Sequence, residues 1–406
     1  MDALLKHTLE NGHENGHENG REPVRALAGL KVLDFSIMMA GPYAARLMAD
    51  LGADVVKVEP PEGDDMRLRH PLREAPDGQR HSTYFGQLNA GKRSLALDLK
   101  DPASLALVRR LALQADVVLE NFRPGVMDRL QLGATTPRAA NQKLVYCAIS
   151  GYGQEGPSAS RAAYAMIVQA QSGYERTLMR YAGDRERPAA TATFVADVLG
   201  GIFAFGAVQA ALVQRARTGV GQVVDVALMD SMLNLLIYEL QEAQFPVSGA
   251  RPTYGPVAAA DGDVLIVPIT QRNFTALAEV TALPELRCDA RFASVPSRAA
   301  HWTEMMRVVE RWTRPRTVAQ VMAAVEGAAV PCAHYAEPGD NLANTQARSR
   351  GLFAPVHDAA GAFTGVNAPW LMSAGGSAIG ARVPKVGEHN AEVLRDWLGT
   401  DSHINS

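Results

Sequence analysis

The chain has 406 residues, 47% of them hydrophobic, with a formal net charge of -3 and an isoelectric point near 6.4. That length allows two or three cored domains, and the charge balance excludes a global basic field for nucleic acid or anionic membrane, so any anionic ligand must be held by local cations. Cys147, Cys288 and Cys332 are odd in number and lack metal-ligand or C-x-x-C spacing, which reads as reduced thiols of a cytoplasmic protein.

Residues 10–22, ENGHENGHENGRE, form a four-residue repeat too rich in Asn and Gly to build a core. His13 and His17 have the spacing of a metal pair on a helix, but the glycine in each repeat opposes helix, so residues 1–26 are expected as a flexible tail. Residues 31–36 read as a strand, Pro42 suits a helix start, residues 43–51 form the helix, Gly52 ends it, and residues 54–59 form a second strand. KRSLALDLK gives a further strand, Asp101 and Pro102 open the helix DPASLALVRRLALQ, and ADVVLENF and LVYCAISGYG add two more strands. Strands apolar on both faces, alternating with helices, imply a mainly parallel sheet covered by helices.

No G-x-G-x-x-G follows the first strand, so a nicotinamide cofactor is poorly supported. GKRS at 91–94 lacks the earlier glycine of a P-loop and precedes a strand, which rejects that motif. Residues 191–212, TATFVADVLGGIFAFGAVQAAL, contain one ionisable side chain, Asp197. Residues 191–196 alternate like a strand, the run from Val198 reads as an apolar helix, and Asp at the junction is a favoured N-cap, an assignment that on the residues alone outweighs a catalytic one. Asp197 and Gln209 interrupt the apolar run, so no membrane helix is expected. From 246 to 330 the pattern changes to a small α/β insertion, with a helix capped by Thr270 and helices at 301–312 and 317–326. Residues 331–399 return to strand and loop and end in the helix GEHNAEVLRDWLG, where His389 is expected to cap or orient the helix; 400–406 read as a tail.

Seven of these pieces resemble, in order, the class III CoA-transferases, the family of formyl-CoA:oxalate and carnitine CoA-transferases that also contains the α-methylacyl-CoA racemases. They are LAGLKVLDFSIMMAGPYAARLMADLGADVVKVEPPEGDDMR, NAGKRSLALDLKD, ADVVLENFRPGVMDRLQLG, ISGYGQEGP, VADVLGG, TGVGQVVDVALMDSM and VGEHNAEVL, within residues 27–399. The resemblance implies an α/β fold with a large Rossmann-like domain made from 27–245 and 331–399, a small central domain at 246–330, and an interlocked homodimer. It further implies acyl-CoA and a small carboxylic acid as substrates, with no permanently bound cofactor, no metal, and no nucleic-acid or membrane partner. Asp197 falls at the family's catalytic aspartate, with the Ala40 N–H as an oxyanion donor. Met39, Leu97, Lys100, Asn121, Phe122 and Arg129 fall at positions lining CoA, and Met38, Tyr164 and Arg67 are expected in the substrate pocket.

Two departures from the family pattern stand out. Met39 replaces a frequent glutamine, and Ala165 replaces a frequent acidic residue after Tyr164. A racemase-like isomerase is the alternative activity, yet Tyr164 occupies the position of its histidine, and a phenol of pKa near 10 is a poor base at neutral pH. A CoA-binding subunit of a hetero-oligomeric transferase is the second alternative.

Overall fold

The computed structural model describes residues 24–183, 186–246 and 251–399, so the N-terminal repeat and residues 400–406 lie outside it. Two compact units result among the described residues: those within 24–174, 190–235 and 345–399 make the first, those within 175–189 and 236–344 the second.

In the first unit the chain runs Lys31–Asp34 (β1), Ala40–Asp50 (α1), Asp54–Glu59 (β2), Leu72–Glu74 (β3), Arg80–Ser82 (β4), Thr83–Asn89 (α2) and Arg93–Ala96 (β5). Pro102–Gln114 (α3), Val117–Glu120 (β6), Val145–Ser150 (β7), Ala165–Ser172 (α4), Val195–Thr218 (α5) and Val223–Ala227 (β8) follow. The six longer pairing strands form one parallel sheet in the order β5-β2-β1-β6-β7-β8. Alternate residues of each strand feed opposite faces. Val32, Val55, Val117 and Val145 pack with Ala44, Met48, Ala204 and Val208, while Leu33, Val56, Val118 and Tyr146 pack with Leu111, Leu394 and Trp397.

Sheet order reverses between β1 and β6, and in doubly wound sheets ligands enter at such a point, outside the carboxyl ends of the strands. The loops there are residues 35–39 and 121–125, and they are stitched together. Asn121 Oδ1 accepts from Ile37 N–H at 2.8 Å, and Asn121 Nδ2 donates to the Ile37 carbonyl at 2.7 Å.

The expected strand at 191–196 is absent: helix begins at Val195 and continues through both Asp197 and Gln209 for 24 residues. That helix is long and apolar enough to cross a bilayer, contrary to the expectation from its two polar interruptions. Its small residues Ala196, Gly200, Gly201, Ala204, Val208 and Ala211 are buried in the core of the first unit.

Close approach explains the glycine pair. A Cβ at Gly201 would lie 2.7 Å from the Ala40 carbonyl oxygen, and one at Gly200 would lie 2.4 Å from Leu228 Cδ2. Beyond the sheet, the antiparallel hairpin Phe353–Asp358 and Gly361–Val366 and the closing helix Asn390–Leu398 complete this unit.

The second unit has a three-stranded antiparallel sheet of Val257–Ala258, Asp263–Ile266 and Cys332–His334, covered by helices around Phe274, Leu277, Trp302, Met305 and Val321. It reaches beyond the expected 246–330 on both sides and includes residues 175–189.

Gly201→Ala is expected to destabilise the fold by about 1–3 kcal/mol in urea unfolding, because the methyl group meets backbone rather than a movable side-chain tip.

Candidate active site

Asp197 lies in the first turn of α5, but the N-cap position belongs to Phe194, and no side chain caps this helix. The capping explanation of Asp197 therefore falls: at the third helical residue its carboxylate is free of a capping bond. The side chain is half-buried and burial pushes its pKa up to about 6. Side chains three and four apart share a helix face, so Asp197 sits one turn N-terminal of Gly200 and Gly201, the second of which meets the Ala40 carbonyl.

The first turn of α1 presents donors there. Met39 occupies the N-cap without a side-chain cap, Tyr43 N–H bonds to the Met39 carbonyl at 2.9 Å, and Pro42 has no N–H. Ala40 and Gly41 are thus left with amides that have no acceptor among the described residues. Gly41 is dictated by packing, since a Cβ would lie 2.2 Å from Ser36 Cβ. Met38 adopts φ 61°, in the left-handed region, which costs a non-glycine residue roughly 1–2 kcal/mol.

Tyr84 joins this group, a residue the sequence reading passed over. Its hydroxyl lies 3.0 Å from Met39 Sδ, and burial, then the Asp197 charge, pushes it up to about 12. Gln169, fully buried on α4, accepts from Ala196 N–H at 3.3 Å and ties that helix to the start of α5. Tyr164 stands at the N-cap of the same helix and is 61% exposed. A signal for Tyr84 existed in the sequence only as a serine-capped helix start, Ser82 accepting from Phe85 N–H at 3.0 Å.

The residues expected around CoA follow the carboxyl ends of β5 and β6. Leu97 is buried and donates its N–H to the Glu59 carbonyl at 2.9 Å, while Lys100 is exposed. Phe122 is half-buried, its N–H held 2.8 Å from Glu120 Oε2, and burial raises that carboxyl to about 7 against this hydrogen bond. Arg129 is exposed at the end of the short helix Val126–Arg129. Neither cation has a side-chain hydrogen bond or ion pair among the described residues.

Arg67 is turned elsewhere. Its guanidinium is bidentate to Glu59 at 2.9 and 2.7 Å, donates to the Pro384 carbonyl at 3.0 Å and stacks on Phe85. With those donors engaged it lines a separate cavity of about 460 Å³ with His81, Arg80 and Lys385, to which neither Asp197 nor Met39 contributes. Among the described residues no group of His, Cys, Asp and Glu has the arrangement of a metal site.

A parallel α/β sheet with a switch point, a half-buried carboxylate and helix-start amides without acceptors define a doubly wound α/β protein with a candidate site at the carboxyl ends of its strands. Residues 27–390 match the sequence pattern of CoA-transferase family III, and the chain belongs to that family. The chain is 36% identical to a succinate–glutarate CoA-transferase of Agrobacterium fabrum, over 91% of this chain and 95% of that one. It is 31% identical to the formyl-CoA:oxalate CoA-transferase of Streptomyces avermitilis, over 92% and 96%. The crystal structure of a CAIB/BAIF family protein from Brucella suis superimposes with a TM-score of 0.80 at 32% identity, covering 92% of this chain and 99% of that one. The chain is accordingly a CoA-transferase, an enzyme that takes CoA thioesters as substrate.

An unfolded aspartate ionises near 3.8 and Asp197 near 6, so between those values the folded chain keeps a proton that the unfolded chain has lost, and stability falls as pH rises. Asp197→Asn removes that burden. Its stability at pH 7 is expected to exceed wild type by about 1–2 kcal/mol in urea unfolding. Wild-type transfer is expected to rise with pH through about 6 as the carboxylate forms.

Proposed function

We propose that the protein moves CoA between an acyl-CoA, such as a succinyl thioester, and a short dicarboxylic acid, with Asp197 as the nucleophile. The observation that carries this reading is a half-buried, uncapped carboxylate one turn before the glycine that meets the Ala40 carbonyl, together with Ala40 and Gly41 amides that have no acceptor among the described residues. Relatives named for succinate–glutarate and for succinyl-CoA–D-citramalate transfer support the substrate class.

The chemistry closes without external reagents. Asp197 carboxylate attacks the thioester carbonyl and expels CoA thiolate, leaving an acyl-aspartyl anhydride. The thiolate then attacks the aspartyl carbonyl, forming a CoA thioester on Asp197 and releasing the donor acid. The acceptor carboxylate attacks this thioester, again expelling thiolate, and the thiolate takes the new acyl group and frees Asp197. Each tetrahedral intermediate carries an oxyanion, which the Ala40 amide and its neighbour stabilise. Met39 brings an apolar side chain to the thioester, and Met38 and Tyr164 border the acid. Leu97, Asn121 and Phe122 flank the nucleotide, and Lys100 and Arg129 neutralise its phosphates. Arg67 has no part in this proposal, because Glu59 holds it.

The working form is proposed as a homodimer of interlocked chains, each with a Rossmann-like large domain, in the cytoplasm. Exposed apolar Ile167, Ile202, Phe203 and Val213 support burial by a second copy. The isomerase alternative lacks a base, since exposed Tyr164 is its only counterpart of the histidine.

Purified protein incubated with succinyl-CoA is expected to gain the mass of CoA less water on the peptide holding Asp197, and hydroxylamine should remove it. Asp197→Asn should fold, bind CoA and lose transfer by roughly three or more orders of magnitude. An active Asn variant, an adduct on another residue, or turnover only after adding a second related chain would overturn the assignment. Lys100→Ala and Arg129→Ala should each raise the KM for acyl-CoA by roughly tenfold with kcat nearly unchanged, read from initial rates at low ionic strength.

A further inference from the structure

The turn from Ser36 to Ala40 carries Met38 at φ 61°, and such a conformation persists in a methionine only where its surroundings over-determine it. What surrounds it is buried charge. Asp34, at the end of β1, accepts from Ser36 N–H at 2.9 Å and from the Ser36 hydroxyl. Lys92 Nζ reaches Asp34 Oδ2 at 2.9 Å, Asn89 Oδ1 at 2.8 Å and the Pro42 carbonyl at 3.0 Å, bridging the end of β1 to the first turn of α1. Burial works against the Asp34 charge, but Lys92 and Lys57 together hold it below the usual carboxylate range.

Lys57 behaves unexpectedly for its register. It is the direct partner of Asp34 across β2 and β1, yet its ammonium passes that carboxylate and ends 2.8 Å from the Ser36 carbonyl and 2.8 Å from Asp64 Oδ2. Both lysine side chains are 0% exposed. Apolar residues of similar volume would stabilise a fold as well or better, so stability alone gives no reason for charges at these positions. Geometry does. Lys57 fixes the Ser36 carbonyl, Asn121 fixes both polar groups of Ile37, and the strained Met38 follows directly before Met39 and Ala40.

We propose that Lys57 is a positioning residue for CoA transfer: by holding the Ser36 carbonyl from the neighbouring strand β2, it keeps the strained turn in the shape that aims the Ala40 amide at the reacting carbonyl. This rests on Asp197 being the nucleophile. The ammonium of Lys57 bonds to the Ser36 carbonyl and Asp64 and to none of Asp197, Leu97, Lys100 and Phe122, the last three being the residues proposed to contact CoA. Its loss should therefore slow the chemical step and spare CoA affinity.

The test uses the full-length protein and the rate at which saturating succinyl-CoA loads Asp197, read by mass in single turnover, alongside CoA affinity by calorimetry. Lys57→Met together with Asp64→Asn removes the ammonium without stranding a buried carboxylate. Loading is expected to slow by about tenfold or more while CoA affinity stays within about threefold of wild type. Glycine adopts φ 61° without strain, so in a Met38→Gly background the same pair of changes should slow loading by only about threefold. A folded double variant that loads at the wild-type rate, parallel losses of rate and CoA affinity, or an undiminished loss in the Met38→Gly background would each overturn the proposal. Asp64→Asn alone keeps Nζ on the Ser36 carbonyl and should load within about threefold of wild type, so a tenfold loss there would place the effect on the ion pair and overturn the proposal even if the double variant fails to fold. Wild type that acquires no adduct on Asp197 would instead remove the assigned chemistry.

Discussion

Helix α5 reaches α1 through Gly200 and Gly201, and the Ala40 carbonyl occupies space that a side chain at 201 would need. The close approach to α1 is therefore permitted by a hydrogen atom at Gly201, while Gly200 makes room for the Leu228 side chain. Asp197 precedes those glycines by one turn and Ala40 is the first residue of α1, so a single backbone contact brings the first turns of the two helices together. Sheet order, the β1 and β6 loops and the docking of α4 through Gln169 all orient elements around that contact.

The carboxylates near the crevice divide into two kinds. Asp34 and Glu59 are buried but held by Lys92, Lys57 and Arg67, with hydroxyls of Ser36 and Ser94 beside them, and both lie below the ordinary range. Asp197 has burial without a cation, and its affinity for a proton rises instead. A paired carboxylate is stabilised as an anion and is a reluctant nucleophile. A half-buried, unpaired one is higher in energy as an anion, and bonding to carbon relieves that cost.

Much of this was legible in the sequence because local rules and the global fold agree. Asp101 with Pro102 and Thr270 cap their helices as their positions require, and the apolar runs from Lys31 to Ser150 became parallel strands. The helix start at Val195 was misread because alternation over a few residues looks the same in a strand and in an extended approach to a helix. The β3–β4 hairpin and α2 went unseen, since short polar strands carry little period. Tyr84 was lost with them. Lys57 and Lys92 were unremarkable as letters, because only the fold shows a lysine buried to completion. The pairing of Arg67 was hidden for the converse reason: a cation in a loop gives no sign of Glu59 waiting at the end of β2.

The free edge of the sheet is closed by the last part of the chain. Asn390 exchanges hydrogen bonds with both backbone groups of Ala96 at 2.8 and 3.1 Å, Gly387 N–H reaches Ser94 Oγ at 2.8 Å, and His389 exchanges bonds with Ser94 through N–H and Nδ1. Trp397 then donates to Asp54 at 2.7 Å. Strand β5, which leads to Leu97 and Lys100, is thereby shielded from pairing with foreign chains, but only after some 290 further residues have been synthesised. On the ribosome the second unit emerges whole while the first still lacks its margin. The order of synthesis thus leaves an open-edged sheet waiting on its own C-terminus, the interval in which this fold is most exposed to aggregation.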